Sequence, residues 1–254
     1  MKGPTMPIEN TGKKNLIWQY HVNVVNGYYG PHRFNIAKAS SSLMSMYAMK
    51  IGAEYRLVTQ PQFSERRLPG GPAMERFQLL GNEYEAYDKI LYIDTDILPS
   101  AEAPSIFDDY SSADIAGIHR PHPRDLEILK KGWLSKAVDH NKYIENYVNG
   151  AILLMSREFR AYLIETINID DIQCDAGKHW DTHGIDVKWP VYDQSMVSYA
   201  IAISSFTLSR VNETFIKGPY FFNYGGQKSH STSKEFFERY RSLRDDWLAG
   251  DTYL

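Results

Sequence analysis

Residues 90 to 93, Ile-Leu-Tyr-Ile, form a short apolar run that ends in Asp94-Thr95-Asp96. On a β-strand alternate side chains share a face, so such a run would bring both carboxylates close to one point at the carboxyl edge of a sheet. Two hard oxygen donors at that place suit Mg²⁺ or Mn²⁺. The structural alternative is that one aspartate caps the turn signalled by Leu98-Pro99-Ser100, while the other is solvated.

The surrounding pattern predicts the elements that must position this triplet. Leu16 to Val25 opens as a continuous apolar and aromatic strand and turns polar at His21 and Asn23. Ile36, Ser40, Leu43, Tyr47 and Ile51 recur at helical steps before a stop at Gly52, and Ala53 to Thr59 reads as a second strand. After Pro72, the spacing of Met74, Phe77, Leu80, Tyr84 and Tyr87 predicts another helix, followed by a strand from Lys89 to Asp94 without alternation. Strand, helix, strand, helix, strand implies an α/β fold with right-handed crossovers and a mostly parallel central sheet flanked by helices, with ligands at the carboxyl ends of the strands. Downstream, strands are expected at Asp114 to Ile118 and Tyr147 to Ser156, and a helix from Arg157. A loop is expected over His179 to Pro190, a helix over Asp193 to Ile203, strands at Thr207 to Val211 and Pro219 to Phe222, and a helix over Ser233 to Leu248. With no repeat or linker, the expected organisation is one domain over 15–254 behind a flexible lead over 1–14.

Composition narrows the function classes. The 254 residues, 43% of them hydrophobic, suffice for a substantial core. With 28 Lys and Arg against 31 Asp and Glu, the net charge of -3 supplies no global attraction for nucleic acid, though single-nucleotide binding stays open. The single cysteine, Cys174, cannot form an intrachain disulfide, which fits a reducing compartment and an expected cytoplasmic location. The first residues carry no apolar run of the signal-peptide kind, and no stretch approaches the ~20 apolar residues of a transmembrane helix.

Two metal-dependent chemistries use an aspartate triplet of this kind. A phosphatase of the haloacid dehalogenase type would use Asp94 as nucleophile. A sugar transferase would use the pair to hold a metal on a nucleoside diphosphate. The phosphatase motif usually sits on the opening strand with Thr or Val two positions beyond the second aspartate; here the run is the third strand and that position is Leu98. A third class, a catalytically silent sugar-nucleotide-binding module, would bind without turnover.

The order of motifs resembles that of the GT-A glycosyltransferases, most closely family 8, which includes glycogenin and bacterial lipopolysaccharide galactosyltransferases. Arg76, within Glu75-Arg76-Phe77-Gln78-Leu79, precedes Asp88-Lys89-Ile90-Leu91-Tyr92-Ile93-Asp94-Thr95-Asp96, which is similar to the family's "DKVLYLDxD". The run from Tyr147 to Met155 resembles "FNAGVLLIN", Asp193-Gln194 begins a helix as "DQD" does, and Tyr224-Gly225-Gly226-Gln227-Lys228 is similar to the end of "HxxGxxKPW". The resemblance implies a single-domain GT-A fold and transfer of a sugar from a nucleotide-sugar donor, UDP-linked, to a glycan acceptor with Mn²⁺ or Mg²⁺. It implies Asp96 as a metal ligand, Asp94 as a second ligand or a contact to the donor, and Lys228 as a point charge on the distal phosphate, with Thr95 and Gly225 beside the donor. Arg76 would contact the donor sugar or diphosphate, Asn149 and Gly150 would line the sugar, and Asp193 and Gln194 would hold its hydroxyls near the anomeric carbon. Asp193 would be a base if the reaction inverts. His21 and Asn23 are the candidate contacts to the nucleotide base, with Tyr20 or Tyr55 for stacking. The family's metal-binding histidine falls on Phe222 here, so the expected third ligand is His230, with Asn223 or a water as the alternatives.

Other constellations carry less. Cys174, His179, Asp181 and His183 match no strong zinc spacing. Trp180 and Trp189 would form an acceptor platform or pack in the core. His119 to Arg124 would meet an anionic acceptor or form a basic surface turn. The final helix, with Phe236, Phe237, Tyr240, Leu243 and Trp247 on one side, reads as an amphipathic lid or a dimer contact.

Overall fold

In the computed structural model, Leu16 to Gln19 of strand β1 (Asn15–Tyr20) are buried, as expected for a strand covered on both faces. Described are residues 14–21, 31–62, 71–121, 139–167, 192–212, 215, 217–224 and 230–250. β1 pairs in parallel with β2 (Glu54–Val58) and with β3 (Lys89–Ile93). Beyond β3 the sheet continues through β6 (Asn149–Ser156), β5 (Ile115–Ile118) and β7 (Leu208–Arg210), in the order β2-β1-β3-β6-β5-β7. β6 is antiparallel to both β3 and β5, and β5 is parallel to β7, so five of the six strands share one direction. The mostly parallel sheet is present. A two-stranded antiparallel ladder of β4 (Ile97–Pro99) and β8 (Phe221–Asn223) lies off the carboxyl end of β3.

Period-two alternation divides the core into two layers. Ile17, Leu91 and Ile93 join the layer under helix α1 (Pro31–Lys50) and the C-terminal helix, where Leu43, Tyr47, Phe221, Phe236 and Trp247 are buried. Leu16, Trp18, Ile90 and Tyr92 join the opposite layer with Met74, Phe77, Phe159, Val197 and Ile201. α1 stops where the sequence signals it. Gly52 takes φ 68°, and Ala53 N–H donates to Ala48 O at 2.9 Å, closing the last turn.

The segment expected to be an α-helix after Pro72 is a 3₁₀ helix, Gly71–Leu80, followed by a short 3₁₀ turn at Asn82–Tyr84. The spacing explains it: Met74, Phe77 and Leu80 lie three apart, which aligns them on one face of a three-residue turn. Arg160, buried on the helix that follows β6, fastens this region by donating to Tyr84 O at 3.1 Å, Tyr87 O at 2.6 Å and Met155 O at 3.1 Å. Burial pushes its guanidinium pKa down to about 10.

The remaining helices are α2 (Ile106–Asp109), α3 (His140–Glu145), α4 (Arg157–Thr166), α5 (Tyr192–Ile203) and α6 (His230–Gly250). β8 begins two residues later than expected and ends one later, and α6 begins three residues earlier. The loop expected over His179 to Pro190 and the lead over 1–13 lie outside the described residues. Among the described residues no helix is long and apolar enough to cross a membrane.

Candidate functional site

β3 delivers the aspartates to the sheet rim, where the chain reverses. Asp94 N–H extends the ladder to Ala151 O at 2.9 Å, and Ile97 N–H closes back on Asp94 O at 3.3 Å, so residues 94 to 97 form a turn leading into β4. Asp94, Thr95 and Asp96 are each half-buried. The Asp94 carboxylate does not cap the turn; its Oδ1 accepts a hydrogen bond from the hydroxyl of Tyr92, two residues back on the same face. The β4–β8 ladder sets Asn223 opposite Ile97, and Tyr224 N–H donates to Asp96 O at 3.1 Å. The chain after Tyr224 therefore leaves from beside Asp96. Gly225 and Lys228 lie outside the described residues, and His230 is the first residue of α6.

Beside this turn lies a buried ion pair. Arg76, on the 3₁₀ helix, is 5% exposed, and Asp193, in the first turn of α5, is 1% exposed. Arg76 Nη1 pairs with the Asp193 carboxylate, Nη2 donates to Gly150 O at 2.9 Å, and Cζ lies 4.2 Å from the Tyr92 ring centroid. Gly150 is required by this packing: a Cβ there would sit 2.6 Å from Nη2 and 2.8 Å from Cζ of Arg76. Close backbone approach at Gly150 thus serves the arginine. Asp193 Oδ1 is buried with no hydrogen-bond donor among the described residues.

The electrostatics follow from burial. Burial works against the charge on Arg76, but Asp193, with smaller contributions from Tyr92, Tyr20 and Asp94, more than offsets it and raises its pKa. Burial raises the Asp94 carboxyl pKa; Arg76 and the Tyr92 hydrogen bond oppose that shift, and Asp193 reinforces it. Burial, then the neighbouring Asp94, drives the Tyr92 hydroxyl well above its ordinary value. The side chains carried by the turn and by the strand paired beside it, two carboxylates and the Asn223 amide, are hard oxygen donors of the kind that Mg²⁺ and Mn²⁺ take, so the residue types fit such an ion. Among the described residues no group of three or more His, Cys, Asp and Glu side chains is placed to hold a metal.

The other expected residues are distributed as follows. Asn149 Oδ1 accepts from Ala151 N–H at 3.0 Å, and Gln194 Oε1 accepts from the Tyr147 hydroxyl at 3.4 Å. The β5–β6 pairing is irregular here: Gly117 lies opposite Leu153 and Ile118 opposite Asn149, so the register shifts between Gly117 and Ile118. His21 is 8% exposed just beyond β1, its N–H donating to Val58 O at 2.8 Å; Asn23 is outside the described residues. Tyr20 stacks on Tyr92 at 5.8 Å, and the Tyr55 hydroxyl donates to Gln19 Oε1 at 2.8 Å, so both candidate stacking rings are engaged within the protein. Phe222 packs under the Arg239 guanidinium at 4.5 Å. The His119 ring shares a 2.9 Å hydrogen bond with Ile144 O. Cys174, His179, Asp181, His183, Trp180 and Trp189 lie outside the described residues.

Three residues escape the pattern-based reading. Tyr92 is buried in an apolar run and looks like core. Gln19 and Ser40 are likewise buried, and the one available signal is a glutamine interrupting Leu-Ile-Trp-Gln-Tyr.

No protein-family model matches the chain, and no curated protein matches it in sequence. Among solved structures, it is similar to a glycosyltransferase involved in the glycosylation of the major capsid of PBCV-1, at 11% identity over 89% of this chain and 99% of that one, with a TM-score of 0.52. The apo form of the glycosyltransferase GlyE of Streptococcus pneumoniae aligns at 11% identity over 94% of this chain and 64% of that one, with a TM-score of 0.45. At such identity the shared property is the fold: an α/β, GT-A-like arrangement with helices flanking a mostly parallel six-stranded sheet.

Proposed function

We propose that this protein is a metal-dependent glycosyltransferase that moves a sugar from a UDP-linked donor to a hydroxyl of a glycan acceptor, within a single domain over 15–254. The observation that carries the reading is the strand-end turn of Asp94 and Asp96 beside the buried Arg76–Asp193 pair. Breaking the anomeric C–O bond releases a nucleoside diphosphate with added negative charge, so the site must stabilise that charge. Asp96 and Asp94, with His230 or Asn223 as third ligand, would hold Mn²⁺ or Mg²⁺, which would supply a Lewis acid for the diphosphate.

The chain's own residues do the rest. Lys228, on the short segment between Tyr224 and α6, meets the distal phosphate as a point charge, and Gly225 and Thr95 border the donor. Asp193, paired with Arg76, is the candidate to hold a sugar hydroxyl or, in an inverting reaction, to take the acceptor's proton. Gln194 and Asn149 are the further candidates to hold sugar hydroxyls near the anomeric carbon. Arg76, 5% exposed, serves the donor through Asp193 and Gly150. His21 and Asn23, at and beyond the end of β1, meet the nucleotide base. A nucleophilic Asp94 gains no support from the topology: the triplet follows the third strand of the chain, whereas the phosphatase motif usually follows the opening one.

The test is a thermal-shift screen of nucleoside diphosphates and nucleotide sugars with and without Mn²⁺. UDP and one UDP-sugar should raise the melting temperature only with Mn²⁺, by an amount equivalent to about 2.7 kcal/mol at a hundredfold excess over Kd. No shift with any nucleotide would contradict the reading.

A further inference from the structure

Beneath the Asp94–Ile97 turn runs a buried polar network that none of the proposed chemistry uses. Gln19 on β1 and Ser40 on α1 are both 0% exposed, in a layer whose neighbours include Ile17, Leu43, Leu91 and Ile93. A polar side chain in such surroundings is costly unless hydrogen-bonded, and these two are well partnered. The Tyr55 hydroxyl, on β2, donates to Gln19 Oε1 at 2.8 Å. Gln19 Nε2 donates to Ser40 Oγ at 3.1 Å and to Asp94 O at 3.0 Å. Ser40 Oγ donates to Ile97 O at 2.6 Å.

The two backbone carbonyls reached are those of the first and last residues of the turn, and Ile97 N–H already bonds to the first of them. Side chains from β1 and α1 therefore grip both ends of the turn, with Thr95 and Asp96 between the held points. Tyr55 fixes the amide of Gln19 so that its NH₂ faces the turn.

We propose that Gln19 and Ser40 are positioning residues for the acidic pair: by fixing the turn backbone they set the relation between the Asp94 and Asp96 carboxylates, and so the affinity of that pair for a divalent cation. This rests on the metal-dependent reading above. Neither residue touches the ligand; each acts through the backbone that carries the ligating side chains, as outer-shell groups do at metal sites.

The test compares the full chain with Ser40→Ala, Gln19→Met and the control Tyr47→Phe. Tyr47 shares α1 and the same core layer, but its hydroxyl serves Pro104 O and Ile106 N. The first readout, independent of any ligand, is hydrogen exchange of the Ile97 amide. In Ser40→Ala and Gln19→Met it should accelerate by at least about tenfold relative to the Leu91 amide in β3. The second is calorimetric titration of Mn²⁺ in the presence of UDP, where both variants should weaken binding about 10- to 100-fold. Tyr47→Phe should lower the melting temperature while leaving both readouts unchanged, and Ser40→Thr, which keeps a hydroxyl, should recover most of the Mn²⁺ affinity lost in Ser40→Ala. If Gln19→Met does not fold, Ser40→Ala with Ser40→Thr decides. Folded variants that match Tyr47→Phe in both readouts, with Mn²⁺ binding intact in the unaltered protein, would overturn this inference alone. An unaltered protein that binds no Mn²⁺ with UDP would overturn the functional reading and this inference with it.

Discussion

Without the Arg76 guanidinium, the Asp193 carboxylate, 1% exposed, would lack its counter-charge, and removing one partner of a buried pair costs about 3–5 kcal/mol. Arg76→Met should therefore lower the urea-denaturation stability by that amount, and adding Asp193→Asn should recover much of it. Losses that simply add would show that the two side chains do not interact. Asp94 is the opposite case. Its folded pKa is raised, so the folded chain holds the proton more tightly than the unfolded chain, and stability falls as pH rises from the ordinary aspartate value through the raised one. Asp94→Asn, which can still accept from Tyr92, should flatten that slope and stabilise the ligand-free protein at neutral pH. Unfolding midpoints across the acid to neutral range check this; an unchanged slope would assign the pH dependence elsewhere.

At the scale of elements, the acidic turn depends on what anchors β4. Trp247 of α6 donates to Pro99 O at 3.1 Å from a buried position, and the Lys50 ammonium lies 5.8 Å from its ring. Trp247→Phe keeps an aromatic ring but leaves that carbonyl without its donor, which should cost about 1–3 kcal/mol in denaturant unfolding. A loss no larger than at an exposed position of α6 would contradict the anchoring role. The strands leading to the turn were legible because apolar runs ending in polar residues mark strands that meet a site at their carboxyl ends, as Ile90 to Asp94 do. Arg76 and Asp193 stood out only through the motif resemblance, since a charge in a helix has no signature of its own in the pattern. Their pairing was not legible, because 117 positions separate them and only the fold brings them together. The reversed direction of β6 was equally hidden: a strand buried on both faces carries the same composition whichever way it runs. Gln19 and Ser40 looked like ordinary members of their elements, since a buried hydrogen-bond network leaves no periodicity.

The whole molecule carries a net charge of -3, so nothing global draws in a diphosphate, and affinity for one must come from charge placed locally. On the proposed reading that place is the rim where β3 meets the β4–β8 ladder, beside the Arg76–Asp193 pair. The most direct measurement is calorimetric titration of UDP into the unaltered protein and into Asp96→Ala, each with Mn²⁺ and with the metal removed by chelation. The unaltered protein should bind UDP with Mn²⁺ and lose that affinity on chelation, and Asp96→Ala should show no Mn²⁺-dependent binding. Equal UDP affinity in both proteins, or affinity indifferent to Mn²⁺, would contradict a metal site at this turn.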